Sequence, residues 1–146
     1  MDANELWRQF REKNGIGDAA CEAWAFGGAP DKLAGLVIRG IKSATSSLAC
    51  WYESGKERLP RAGDYSVILD ARGNAVCIIR TTKVYMTPFC EVTKEHAQRE
   101  GEGDRSLAYW RRVHEEFFSD ELKAEHRAFS QEMEVVCEEF ELVYVP

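Results

Sequence analysis

The stretch Gly40-Ile-Lys-Ser-Ala-Thr-Ser46 constrains the fold most, because a helix must stop and a strand must begin within it. Upstream, Pro30-Asp31 starts a helical pattern whose inner face is Leu33, Leu36 and Val37. Gly40 can adopt the left-handed conformation that ends a helix, and a run of small and β-branched residues begins near Ala44. Lys42 and Thr45 therefore fall in a helix-to-strand turn, where an amine and a hydroxyl can converge on one polar atom of a ligand. The same residue types also suit a plain helix end, with the lysine complementing the helix dipole and the threonine opening a strand. The spacing alone leaves both readings open.

The flanking patterns set the architecture. Leu6, Trp7 and Phe10 recur at helical spacing over residues 3–13, and residues 19–26 read as a second helical stretch ended by Gly27-Gly28. After the 40–46 turn, residues 44–51 read as a strand, followed by a polar turn through Ser54-Gly55-Lys56. Residues 65–69 are a second strand, and a hairpin connection at 71–74 returns residues 75–85 as a long third one. Residues 92–100 are helical behind a Thr93 cap. Ser106 caps a helix carrying Leu107, Trp110, His114, Phe117 and Phe118 on one side, a polar segment over 120–131 has helical propensity, and residues 134–145 alternate as a last strand. This order predicts an α+β fold, a small and mainly antiparallel β-barrel with helices packed around it. No repeat or linker divides the chain, so residues 1–146 are expected to form one domain, with residues 1–25 as an N-terminal helical extension.

Composition excludes several classes. The apolar runs are far shorter than the roughly twenty residues of a membrane span, and the acidic N-terminus is unlike a signal peptide, so no membrane partner and a cytoplasmic location are expected. Five scattered cysteines without a C-x-x-C pair predict reduced thiols and no structural zinc. The net charge of −6 argues against a protein that coats long nucleic acids. The charge is segregated along the chain. Residues 32–83 hold nine basic and four acidic residues, whereas 115–141 hold two basic and ten acidic. The 40–46 turn lies in the basic half, which permits a local phosphate-attracting face.

Glu100-Gly-Glu-Gly-Asp104 places three carboxylates among glycines, an arrangement that repels itself unless compensated. It reads as a solvated loop, or as a divalent-cation site through Glu100, Glu102 and Asp104. His96 precedes Glu100 by one helical turn. His114 reads as a packing residue on an apolar helix face, and His126 as exposed. Trp24, Trp51, Tyr52 and Trp110 suit either a core or stacking on a base.

Together, Gly40-x-Lys42-x-x-Thr45 before a strand, Pro60-x-x-Gly63-Asp64, Glu100 closing a helix, the Glu-Gly-Glu-Gly-Asp run and Trp110-x-x-x-His114 resemble the ASCH (activating signal cointegrator homology) family, in its longer bacterial type. The resemblance runs from about Phe26 to Tyr144. It implies a PUA-like β-barrel with a cleft in which the 40–46 turn faces the acidic helix end, and RNA or a modified nucleoside as partner. Some small members hydrolyse N4-acetylcytidine with a lysine, a threonine and a glutamate, which would here be the catalytic Lys42, Thr45 and Glu100, while some longer members are ribonucleases. Ligand contacts are expected from Arg39, Ser46, Trp51, Arg61 and Asp104. No cofactor is expected for acyl hydrolysis, and a divalent metal only for a ribonuclease. A non-catalytic module would hold single-stranded RNA through Lys42, Arg39 and Arg61, with Trp51 or Tyr52 stacking on a base.

Overall fold

A computed structural model describes residues 1–55 and 57–146, so Lys56 of the expected Ser54-Gly55-Lys56 turn lies outside the described residues. Helix α1 (Ala3–Asn14) leads to strand β1 (Cys21–Trp24), helix α2 (Pro30–Ile38), strand β2 (Ala44–Leu48) and the short helix α3 (Cys50–Glu53). Strands β3 (Tyr65–Leu69) and β4 (Ala75–Pro88) follow, then a 3-10 turn (Phe89–Glu91), helices α4 (Lys94–Glu100) and α5 (Leu107–Ala124), and strand β5 (Glu134–Tyr144).

The strands form one five-stranded sheet in the order β1-β3-β4-β5-β2. The expected mainly antiparallel barrel is corrected in two respects: β1 pairs parallel with β3, and the sheet stays open. Its edges are β1, with four residues, and β2, with five, at opposite ends of the strand order. The sheet nevertheless curls. The long β4–β5 ribbon shifts register between Ile78 and Ile79 and again between Thr81 and Lys83, and such bulges bend and twist a ribbon.

The helical reading of 19–26 is also corrected, and with it the wholly helical extension over 1–25. Cys21 to Trp24 pair with Tyr65 to Ile68, and so short an edge strand has no clear period of its own. Nor is α1 a loose appendage: Leu6, Trp7 and Phe10 are buried against Val67, Ala75 and Ile78. The expected strand over 44–51 ends at Leu48, and the helical propensity of 120–131 is realised only to Ala124. Two further clusters complete the core. Leu33, Leu36 and Val37 of α2 pack on Ile68, Ile79 and Phe140, and Trp110, Phe118 and Leu122 of α5 pack on Leu48, Phe89 and Val135. Among the described residues no helix is long and apolar enough to cross a membrane.

Candidate functional site

Two chain segments about sixty residues apart are locked together at the end of α4. Gly40 takes φ +76°, and the amides of Ile41 and Lys42 both donate to the Leu36 carbonyl, at 2.9 and 3.1 Å. The turn is then held on both sides: Ser43 N–H donates to the Arg99 carbonyl at 2.7 Å, and Phe140 N–H donates to the Ser43 carbonyl at 3.0 Å. Helix α4 starts where Thr93 accepts the His96 amide and stops at Gly101, φ +75°. A Cβ at Gly101 would stand 2.5 Å from the Ile41 carbonyl oxygen, so only glycine lets the two turns approach this closely.

This contact delivers Glu100 to the interior, where it is 1% exposed. Its Oε2 accepts from Trp110 Nε1 at 2.6 Å and Ser46 Oγ at 2.7 Å, and meets His96 Nε2 at 2.8 Å. Its Oε1 faces Lys42 Nζ at 3.2 Å and His114 Nε2 at 3.5 Å. Burial alone would push this carboxyl up, yet Lys42, His114 and the hydrogen bonds of both histidines hold it well below the usual carboxylate range. Burial likewise opposes charge on His114, but the Glu100 carboxylate outweighs it and raises the imidazole above its ordinary value. His114 Nδ1 lies 2.9 Å from the Trp110 carbonyl, and its ring stacks on the Trp110 indole at 4.3 Å.

Lys42, 2% exposed, donates to three oxygens: Glu100 Oε1, the Glu100 carbonyl at 3.4 Å and Glu102 Oε2 at 3.2 Å. That is the full donor set of an ammonium. Glu102 is different from Glu100. Among the described residues its side chain has Lys42 as its one partner, and it is 17% exposed.

Lys42, Thr45, Ser46, Glu100, Glu102 and His114 all line one cavity of about 220 Å³, walled by Phe26, Tyr109 and Phe117. A groove of about 820 Å³ adjoins it, with Phe26, Gly27, Thr45, Ser46 and Phe117 common to both. Residues from all five strands line this groove, so it is the concave side of the curled sheet, with Phe117, Phe118 and Glu121 of α5 along one wall. Thr45 has no side-chain hydrogen bond among those of the described residues.

The structure thus brings together Lys42, Thr45, Ser46 and Glu100, and places Tyr52 in the groove lining with its hydroxyl 2.8 Å from Ser47 Oγ, while Arg39, Trp51, Arg61 and Asp104 lie outside both cavities. Arg39 is exposed at the end of α2, and Arg61 is exposed with its amide on Asp64 Oδ2. Trp51 packs on the α5 cluster under the Arg127 guanidinium, 5.8 Å from its ring centre. Asp104 is exposed, and its Oδ1 accepts the Ser106 amide at 2.9 Å. In the acidic-loop metal set its place is taken by His114: Glu100, Glu102 and His114 each offer one ligand atom, all within 4.8 Å of one another. The donor set suits a divalent ion, but Lys42 Nζ already lies between the two carboxylates, so an ion there would have to displace an ammonium. The roles of His96, Trp110 and His114 as partners of Glu100 were not legible as such. The spacing of four between His96 and Glu100, and between Trp110 and His114, was visible, but it is equally that of a packed helix face.

A model of the ASCH domain family matches residues 22–144. Among solved structures, the ASCH domain from Lactobacillus crispatus JV V101 is 30% identical, with 97% of this chain and 93% of that one covered and a TM-score of 0.90. A protein of Enterococcus faecalis V583 is 36% identical, with 97% and 88% covered and a TM-score of 0.89. A hypothetical protein at 17% identity and a TM-score of 0.58, with 85% of this chain and all of that one covered, shares the fold alone. No curated protein matches the chain.

Proposed function

Because the chain belongs to the ASCH domain family, we propose that it is a nucleoside- or RNA-directed hydrolase that removes the acyl group of N4-acylcytidine-type substrates. The family is RNA-related. The observation that carries the reading is the convergence of Lys42, Thr45, Ser46 and Glu100, from two distant segments, on one small cavity. Its volume is below the roughly 300 Å³ at which pockets for larger ligands begin, which suits a base and its acyl group rather than a strand.

Proton counting favours one distribution of roles. Glu100 faces five N–H or O–H groups, so it positions Lys42 and the two histidines rather than moving a proton itself. Lys42 donates to three oxygens and has no lone pair to act as a base, so it contributes positive charge in the cavity wall. Glu102, with a single partner and partial exposure, is the carboxylate free to take a proton. In this reading a water held by Thr45 adds to the acyl carbon as Glu102 takes one of its protons, and the Lys42 charge favours the oxyanion. Collapse breaks the bond from the acyl carbon to N4. The proton on Glu102 passes to N4, giving cytidine and the free carboxylic acid.

A second reading rests on Glu100, Glu102 and His114 as ligands of a divalent ion in a ribonuclease. A phosphate-tracking RNA module is not favoured, because Arg39 and Arg61 line neither cavity. The deciding experiment incubates purified protein with N4-acetylcytidine or with short single-stranded RNA, with and without chelator. Cytidine release that survives chelation and is lost in T45A supports the hydrolase. Chelator-sensitive RNA cleavage replaces it with the second reading, and RNA binding without any product overturns both.

A further inference from the structure

The large groove is more acidic than a site for nucleic-acid phosphate should be. Its described lining includes Glu22, Glu57, Asp64, Glu121 and Glu138 against one basic residue, Arg58. That arginine is already paired with Asp64 at 3.0 Å. Glu138 has one side-chain partner among the described residues, Thr81 Oγ1 at 2.7 Å. Burial raises its carboxyl above the usual value despite that bond, and burial does the same to Glu121. The Trp51 indole nitrogen is buried near Glu121 without a hydrogen bond of normal geometry. Glu138 and Glu121 thus line the groove with no cationic partner among the described residues, and burial disfavours the charge of each.

Strand register connects these groups to the reacting centre. Thr45 on β2 lies directly opposite Glu138 on β5. Residues so paired have Cβ atoms about 4.5–5.5 Å apart and project to the same face of the sheet. Thr45 also lines both cavities, whose partition is the Phe26–Gly27–Phe117 wall. A Cβ at Gly27 would stand 2.5 Å from the Phe117 ring, so that wall is closely fitted. Beside that wall Thr45 and Ser46 line both cavities, so an acyl carbon at Thr45 stands at the border of the groove. About four bonds of extended chain from it, roughly 5 Å, reach Glu138.

Resting on the hydrolase reading, we infer that the groove is a subsite for a positively charged arm of the substrate. The base occupies the small cavity, and the acyl group extends past Thr45 with its cationic end between Glu138 and Glu121. The substrate class is an N4-acylcytidine whose acyl chain ends in an ammonium group, rather than one bearing phosphate or carboxylate there. Bringing a cation beside carboxylates that lack a cationic partner is favourable, whereas an anion adds a like charge.

The test compares three N4-acylcytidines of equal arm length: pentanoyl, 4-(trimethylammonio)butanoyl and 4-carboxybutanoyl. The quaternary ammonium cannot cyclise onto the amide and mimic turnover. Expected kcat/KM falls in the order cationic, neutral, anionic, with about tenfold between the first two at low salt and less at high salt. E138Q and, on a different element, E121Q are each expected to compress the ratio of cationic to neutral substrate. In parallel, calorimetry measures binding of N4-alkylcytidines, which cannot be hydrolysed, with neutral or trimethylammonium ends. Turnover with no cationic preference, or with the carboxylate preferred, overturns the subsite and leaves the hydrolase reading standing. Preferential binding of the cationic alkyl compound without turnover of any acyl substrate removes the hydrolase and keeps the subsite. Neither turnover nor preferential binding overturns both.

Discussion

Lys42 Nζ and Glu100 Oε1 stand 3.2 Å apart with both side chains at most 2% exposed, an ion pair withdrawn from water at the junction of two turns. Removing one charge leaves the other buried and uncompensated, which typically destabilises a fold by about 3–5 kcal/mol. K42A and E100L are each expected to lose stability on that scale in urea unfolding. The double substitution K42M/E100L is expected to lose less than the sum of K42M and E100L, because neither member of the pair is left as a lone buried charge facing the other's place. Strict additivity of the two single effects would show that the pair is not coupled.

The pH dependence has two parts with opposite sign. The Glu100 carboxyl is lower in the folded state, so its contribution is present above the unfolded carboxyl value near 4.5 and is lost as pH falls through the folded value. The His114 imidazole is higher in the folded state than its ordinary 6.5. The folded protein then binds more protons than the unfolded one just above 6.5, and stability declines as pH rises through the folded value. Urea midpoints measured between pH 5.5 and 8.5 are expected to fall with pH in the wild type and to flatten in H114F. An unchanged slope in H114F would place the titrating group elsewhere.

Gly40 and Gly101 share a left-handed backbone but differ in surroundings. A Cβ at Gly40, φ +76°, meets nothing within 4 Å, whereas one at Gly101, φ +75°, meets the Ile41 carbonyl at 2.5 Å. G40A is therefore expected to lose only the left-handed penalty, about 1–2 kcal/mol. G101A adds a backbone collision that must push the Lys42 turn away from α4. Chemical denaturation is expected to rank G101A well below G40A, with cytidine release impaired more in G101A. Equal effects would mean that the close approach is dispensable.

These contrasts also mark what the sequence could reveal. Thr93, Ser106 and Gly40 act through chemistry within a few residues, capping their own helices or ending one, and each does so where its pattern indicated. Residues 21–24 are a strand only because β3 offers them a partner some forty residues later, information no local period contains. The open sheet has the same origin: four of its five strands were legible, but their order and the failure to close depend on how the short edges lie in space. At the site, Lys42 and Glu100 were visible as unusual polar residues beside glycines. His114 was not, because an imidazole on an apolar helix face looks the same whether it packs against methyl groups or against a buried carboxylate.

Glu100 and Glu102 supply the sharpest separation of structure from chemistry. Both contact Lys42 at 3.2 Å, but Glu100 is engaged on both oxygens inside the core, while Glu102 is partly exposed at the cavity and bonded on one oxygen. E100Q removes the charge that Lys42 and His114 face and presents an amide N–H₂ to N–H donors, so it is expected to lose both stability and turnover. E102Q keeps the shape and leaves Lys42 its Glu100 partner. Its unfolding midpoint is expected to stay near that of the wild type while cytidine release falls by roughly 10²–10³-fold, the scale of removing a general base. A water activated by Glu102 also predicts that T45S retains most turnover and T45A loses it, because the hydroxyl positions the water. Full activity in E102Q, with its loss confined to E100Q, would return the proton-transfer role to Glu100 and require one of its five partners to leave during the reaction.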